Sequence, residues 1–260
     1  MSAPIITLTT DWGDGDFFAG MFKGRLMSIV EDVRIVDITH RIEPMNVGQA
    51  TFVVRQACMG FPPGTVHIVD VASRPPFLVV KARGQYFICC DNGLPAMAFG
   101  DSIEDISLLQ VDADGFLNFA AYTIFAGAAA MLLGGASMRD LGEHPGQILQ
   151  RNLPRFMQQG DHYIVYVHHI DSYGNAYLGM TYREFEELRA GRAFVLSVRD
   201  QEVTELMSSY FQQHTAADPR RRLRLTVSAT GLLELAIKDS SLISLLGIKV
   251  NESVLLRFKD

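Results

Sequence analysis

Apolar positions recur along this chain in two patterns, and the pattern changes past its middle. Ile5, Ile6 and Leu8, interleaved with Thr7, Thr9 and Thr10, are β-formers and predict a buried strand. Phe18, Met21, Phe22, Arg25, Leu26 and Ile29 then follow at helical spacing, with Asp16 placed as the N-cap. Residues 34–39 read as a second strand. Asn46 caps a helix running to about Met59, with Val47, Ala50, Val54 and Cys58 on one face. Residues 66–71, 77–81 and 86–90 are three more strands, the last two separated by Gly84, and 108–111 is a further one. Residues 122–133 form a small-residue helix ending at Gly134 and Gly135. This alternation predicts an α/β N-terminal domain, residues 1–150, with a mainly parallel sheet.

Residues 142–160 are polar, contain Pro145 and Pro154, and read as a linker or a lid. Strands dominate afterwards: 162–170, 194–198, 223–229, 232–237 and 253–258. Asp171-Ser172-Tyr173-Gly174-Asn175 is a turn, Thr181 and Glu184 form a capping box for a short helix through Arg189, and a helical turn falls near 241–246. A smaller, β-rich C-terminal domain is therefore expected over 160–260.

Composition narrows the class. Hydrophobic residues at 48% and charged residues at 20% suit a soluble globular protein, and no stretch has the length of a membrane span. A formal charge of -6 argues against nucleic acid as partner, and the basic run Arg220 to Arg224 reads as a solvated edge. Cys58, Cys89 and Cys90 lack a CxxC spacing and have apolar neighbours, which predicts buried, reduced thiols. The start has no basic-then-apolar leader pattern, so the expected location is cytoplasmic.

The densest chemistry lies between the first strand and the first helix, where Asp11, Gly13, Asp14, Gly15 and Asp16 crowd together. Ligands of open α/β sheets bind at such strand ends, and carboxylates accept hydrogen bonds from a vicinal diol such as ribose. The stretch is not GxGxxG and has no phosphate-loop lysine. Its acidity points to a nucleoside-like ligand or a metal, for which Asp11, Asp14, Asp16 and His40 are loose candidates. A solvated, capped turn is the alternative. Asp91-Asn92-Gly93 ends another strand. HExxH, GxSxG and Cys/His metal spacings are absent.

Taken together, TTDWGDGDFFAGMFKG, IVDITHRIEPMNV, FPPGTVHIVD, CDNGL, IDSYGN and GLLELAIKDSSLISLLGI follow one another in an order that resembles the S-adenosyl-L-methionine hydroxide adenosyltransferase family, relatives of the fluorinase and chlorinase enzymes. Thr10, Asp11, Gly13, Asp16, Gly20, Lys23 and Gly24 match its opening motif TDFGxxDxYVGxMKG, with Trp12 where Phe is usual. The resemblance implies an α/β domain followed by a smaller β-barrel-like domain, a homotrimer, and S-adenosylmethionine (SAM) as substrate or ligand with no separate cofactor or metal. The ligand would lie between the N-terminal domain of one subunit and the C-terminal domain of its neighbour. It implies that Asp11 and Trp12 belong to the ligand site, Asp11 holding ribose hydroxyls, and that Asp91 and Asn92 support the pocket. Asp171 and Asn175 would hold the methionine end, with Tyr173 packing against the nucleoside in place of a usual Phe.

Family hydrolases convert SAM and water to adenosine and methionine with an Asp-Arg-His set. Asp70 retains the Asp, and Arg74 pairs with the Arg only across a shortened loop. Ala120 stands where the family motif FHGRDIFAP has His, and Tyr122-Thr123 replace its Arg-Asp. His67, His168 and His169 are the available substitutes for a lost base, although alternation along a strand turns His67 away from Asp70. Three functions follow from the resemblance: a SAM hydrolase with a modified site, a catalytically impaired trimeric SAM- or adenosine-binding protein, and a SAM-dependent halogenase-type enzyme, whose halide nucleophile needs no base.

Overall fold

A computed structural model describes residues 3–111, 118–210, 222–238 and 240–259. Arg220 and Arg221 of the basic run lie outside the described residues. The chain divides into two compact units, Met1–Leu153 and Pro154–Asp260.

The first unit begins with β1 (Ile5–Thr10), α1 (Phe18–Ile29), β2 (Arg34–Thr39), α2 (Val47–Ala57) and β3 (Val66–Asp70). It continues with β4 (Phe77–Ala82), β5 (Gln85–Cys90), α3 (Leu94–Phe99), β6 (Ile103–Leu108), α4 (Ala126–Leu133) and α5 (Met138–Leu141). Its six strands lie in the order β2-β1-β3-β5-β4-β6. The first three pairings are parallel and both pairings of β4 are antiparallel, so the sheet is mixed. The reason is local: β4 and β5 are joined by Arg83 and Gly84, both at positive φ, and so short a link permits only a hairpin.

Alternation assigns the two faces. Ile6, Leu8, Val66 and Ile68 pack with Phe22 and Leu26 of α1 and with the alanines of α4. Val69, Leu78, Val80 and Phe87 pack with Val47, Ala50 and Val54 of α2 and with Leu94 of α3. Burial of a side chain such as Phe22 or Leu26 contributes about 1.5–3 kcal/mol. The chain leaves β1 by α1 to reach β2 on one side, and leaves β2 by α2 to reach β3 on the other. The sheet order therefore reverses between β1 and β3, which opens a crevice at their carboxyl ends.

Several sequence expectations move. Asp16 is not the N-cap of α1; Phe17 is, and Asp16 accepts the Phe17 N–H at 2.8 Å instead. The strand expected at 108–111 is β6, ending at Leu108. A π-helical turn, Ala121–Phe125, leads into α4. The stretch 142–160 is not wholly irregular, because Phe156–Gln159 is strand β7.

The second unit continues with β8 (His162–Ile170), β9 (Ala176–Thr181), α6 (Tyr182–Arg189), β10 (Ala193–Val198) and β11 (Gln201–Val203). It ends with β12 (Leu223–Val227), β13 (Leu232–Ile237), α7 (Leu242–Leu246) and β14 (Ser253–Lys259). β9 and β11 were not expected; Gly179 interrupts the β-former pattern of the first, and the second is three residues long. The capping box forms as read, with Thr181 and Glu184 closing it reciprocally. The strands run β11-β10-β14-β8-β9-β13-β12, with antiparallel pairing throughout and β7 added on β8. Leu206, just past β11, bridges to Leu225 of β12, so the sheet curls into a nearly closed barrel. Val165, Val167, Leu178, Leu196, Leu235 and Leu256 fill it.

Candidate functional site

The carboxyl ends of β1 and β3 hold Asp11 and Asp70 side by side: the Asp11 N–H points at the Asp70 carbonyl, 3.4 Å away. Asp11 Oδ2 accepts two backbone N–H groups, from Met45 at 2.9 Å and from Ala72 at 3.1 Å. Both donors have positive φ, 65° and 53°, a conformation non-glycine residues adopt at some cost. Two strained loops thus converge on one carboxylate oxygen, and Asp11 Oδ1 has no partner among the described residues.

Asp70 is 1% exposed. The Trp12 indole N–H donates to its Oδ2 at 2.9 Å, and its buried Oδ1 has no hydrogen-bond partner among the described residues. Burial pushes the carboxyl up to about 6; the nearby Ser73 hydroxyl and the Trp12 N–H pull it down, and Asp11 pushes it up further. Trp12 is itself wedged, edge-on to Phe22 and Phe119 at 5.4 and 5.0 Å and stacked on His40 at 5.8 Å. His40 is buried; its Nδ1 meets Thr10 Oγ1 at 2.8 Å, and its Nε2 lies 3.3 Å from Asp37. The sequence reading treated His40 only as a loose metal candidate, and its aromatic contact with the position two residues past Thr10 carries no periodic signal.

The remaining expected residues of this unit divide. Arg74 is exposed; its N–H donates to Cys90 Sγ at 3.4 Å, and no ion pair joins it to Asp70 among the described residues. Asn92 is buried and spent on backbone, donating to the Val71 carbonyl at 3.0 Å and accepting from Leu94 at 3.2 Å. Asp91 accepts the Leu149 N–H at 2.9 Å, so it anchors part of the polar stretch 142–153. Asp14 pairs with Arg41. Ala120 is 3% exposed within the core, but its neighbour Phe119 touches Trp12, so the segment reaches the site without bringing a base. His67 is fully buried, bonded to Thr7 at 2.6 Å and stacked on Phe87, and burial pulls it down to about 4.

In the second unit, Asp171 organises the turn between β8 and β9. Its Oδ1 accepts the N–H groups of Tyr173 and Asn175, both at 2.9 Å. Its Oδ2 accepts at longer range, from Asn175 Nδ2 at 3.3 Å and the Tyr177 hydroxyl at 3.5 Å. Gly174 has φ of 83°, and a Cβ there would lie 2.2 Å from Ser241 Oγ. Tyr173 is 80% exposed. These residues line a cavity of about 960 Å³ together with Arg224, Lys238 and Ser244. Beneath it, Glu234 is 1% exposed and bonded to the Tyr210 hydroxyl; burial and Asp171 raise its carboxyl, and Tyr210 lowers it. His168 is committed to the Pro154 carbonyl at 2.7 Å, and burial lowers His169.

The SAM hydroxide adenosyltransferase N-terminal domain matches residues 6–142, and the C-terminal domain of the same family matches 165–255. The chain belongs to the SAM hydroxide adenosyltransferase family. Among curated relatives it is 28% identical to the (R)-S-adenosyl-L-methionine hydrolase of Salinispora tropica, over 94% of each chain. It is 38% identical to the protein of the same name from Methanocaldococcus jannaschii over 98 residues, which span 35% of this chain and only 37% of that protein. A crystal structure of an uncharacterized conserved protein from Thermotoga maritima has the same fold, with a TM-score of 0.84 at 24% identity, covering 97% of this chain and 99% of that one. Among the described residues no helix is long and apolar enough to cross a membrane, and no three His, Cys, Asp or Glu side chains gather as metal ligands.

Proposed function

We propose that this member of the SAM hydroxide adenosyltransferase family binds S-adenosylmethionine and hydrolyses it to adenosine and methionine, as a cytoplasmic homotrimer. The observation that carries the reading is the pair at the β1–β3 crevice: Asp11 with one oxygen tied and one unpartnered among the described residues, beside Asp70, buried and held near 6. Asp11 Oδ1 accepts from the ribose diol. Asp171 and Asn175, in the second unit, take the methionine end, with Asp171 Oδ1 holding the turn and the weakly bonded Oδ2 meeting the ammonium.

The chemistry balances with Asp70 as base. Water oxygen forms a bond to C5′ while the C5′–S bond breaks, and the sulfonium keeps the electron pair and leaves as the methionine thioether. The water proton passes to Asp70 and then to solvent. A carboxylate raised to about 6 is mostly ionised at neutral pH and more basic than an ordinary one, which suits it to this task. Oδ1, which makes no hydrogen bond of good geometry among the described residues, is the oxygen that takes the proton.

The second reading, a binding protein without turnover, is favoured by Ala120 and by the missing Arg74–Asp70 ion pair. One experiment separates the two: titration calorimetry with each sulfonium epimer of SAM, followed by chromatography of the mixture. Heat of binding with adenosine and methionine in equal amounts supports hydrolysis. Binding with intact SAM sinks hydrolysis and leaves the binding protein, and no heat with either epimer sinks both.

A further inference from the structure

The motif this chain resembles has Phe after its Asp, which has no hydrogen to donate; this chain has Trp12, and its indole N–H donates to Asp70 Oδ2 at 2.9 Å. The basic partners expected beside Asp70 are not there. Ala120 is buried and apolar, and Arg74 is exposed and unpaired with Asp70. We propose that Trp12 is the positioning residue of Asp70, holding its carboxylate by Oδ2 and leaving Oδ1 as the one oxygen open to the reaction, in place of the absent His and Arg.

The geometry meets the demands of such a role. Trp12 is braced on three sides, by Phe22, Phe119 and His40, so the direction of its N–H is set by packing. The bond is 2.9 Å and half-buried, where a donor to a charged acceptor is worth more than in water. Oδ1 is buried and has no partner at hydrogen-bond geometry among the described residues, the Ser73 hydroxyl lying only near enough to lower the carboxyl, and a purely structural aspartate would have little reason to carry that shortfall. The titratable and charged groups facing this pair are Asp11 after β1, Arg74 in the loop after β3, Cys90 at the end of β5, and His40 after β2 with Asp37 behind it.

The inference rests on Asp70 being the reacting carboxylate, but its test does not need turnover. Trp12 is the chain's single tryptophan, so its fluorescence and its indole ¹⁵N–¹H resonance report on this side chain alone. In the free full-length protein both signals are expected to titrate with a midpoint near 6. The transition should vanish in Asp70→Asn and persist in His40→Gln. In Trp12→Phe, the carboxyl infrared band assigned by difference from Asp70→Asn should titrate about one pH unit higher, because a hydrogen bond to a charged group is worth about that much. Where the enzyme turns over, the acid limb of kcat/KM should move by the same amount.

A transition that survives Asp70→Asn and disappears in His40→Gln overturns the proposal, because the signal then belongs to the imidazole. An unmoved or lowered Asp70 midpoint in Trp12→Phe also overturns it. If Trp12→Phe does not fold, the indole resonance of wild type against Asp70→Asn decides alone: an unchanged resonance means that no bond is made. Absence of adenosine release in the wild type, with the titrations as expected, would sink hydrolysis and leave the Trp12–Asp70 bond standing.

Discussion

Asp70 and Asp171 both close a strand, Asp70 as the last residue of β3 and Asp171 directly after β8. Asp171 is half-buried and accepts four hydrogen bonds, three of them from the turn it begins. Asp70 is buried and accepts the Trp12 indole N–H, with the Ser73 hydroxyl close by, and its Oδ1 makes no bond of good geometry among the described residues. A turn-forming Asp is satisfied by its own neighbours in sequence, through the short Asx-type contacts that make such turns stable. Asp70 is served by a residue fifty-eight positions away, and its shortfall is the kind of cost that accumulates at reactive groups. The comparison sets a carboxylate bonded mainly within its own turn beside one that burial leaves short of hydrogen bonds, and three substitutions test what that difference does.

The largest effect falls on turnover. Asp70→Asn keeps the shape and removes the proton acceptor, and is expected to lower kcat for adenosine release by about 10²–10⁴-fold. Product chromatography at saturating SAM measures it, and a loss below about threefold would remove Asp70 from the base role. Next in size is Gly174→Ala. Its positive φ and the 2.2 Å approach to Ser241 Oγ leave no room for a Cβ, so a stability loss of about 3 kcal/mol or more is expected in the second unit. Hydrogen exchange of the β8 and β9 amides reads that loss, and unchanged protection would show that Ser241 yields freely.

The third effect is a pH dependence with a definite sign. Between the ordinary carboxyl value of 3.8 and about 6, folded Asp70 holds a proton that the unfolded chain has released. Stability therefore falls as pH rises through this window, by about 3 kcal/mol at neutral pH. His67 works the other way: pulled from 6.5 down to about 4, it costs stability as pH falls through that range. The two nearly cancel in the wild type. Denaturant unfolding followed by Trp12 fluorescence at pH 4 and pH 7 should show the difference between wild type and Asp70→Asn growing by about 3 kcal/mol in favour of the variant. A constant difference would mean that Asp70 pays no burial cost.

Much of this arrangement was legible in the sequence, and the misses have local causes. The bounds of β2 and β8 and the capping box of α6 followed from β-former runs and from Thr181 with Glu184, because those signals are contained in a few adjacent residues. The antiparallel turn of β4 was not read, since a hairpin through Arg83 and Gly84 and a crossover look alike when only the strands are marked. Asp11 was singled out by its place after a β-run and Asp70 by the family resemblance, but what each oxygen does was not. The donors to Asp11 come from Met45 and Ala72, and the donor to Asp70 is an indole on another strand's exit loop. Such long-range partners leave no mark on spacing. Asn92 shows the converse: it stood beside a strand end like Asp91, yet both ends of its amide are consumed by backbone.

The smallest stability effect belongs to Asp171→Asn, and it divides the two oxygens of that residue. The retained Oδ1 still accepts from Tyr173 and Asn175 at 2.9 Å, so the turn survives. The new Nδ2 can no longer accept from Asn175 and Tyr177, but those bonds are long, at 3.3 and 3.5 Å, and little is lost with them. Removing the charge also relieves Glu234, whose carboxyl Asp171 helps to raise, and this offsets part of the loss. The net change in unfolding free energy should stay within about 1 kcal/mol. Affinity for SAM should fall further, about tenfold or more, because the ammonium of the methionine end loses its charged acceptor. Calorimetry beside thermal unfolding measures both in one preparation. If stability falls and affinity does not, Asp171 is a turn residue alone, and the methionine end is held by other groups.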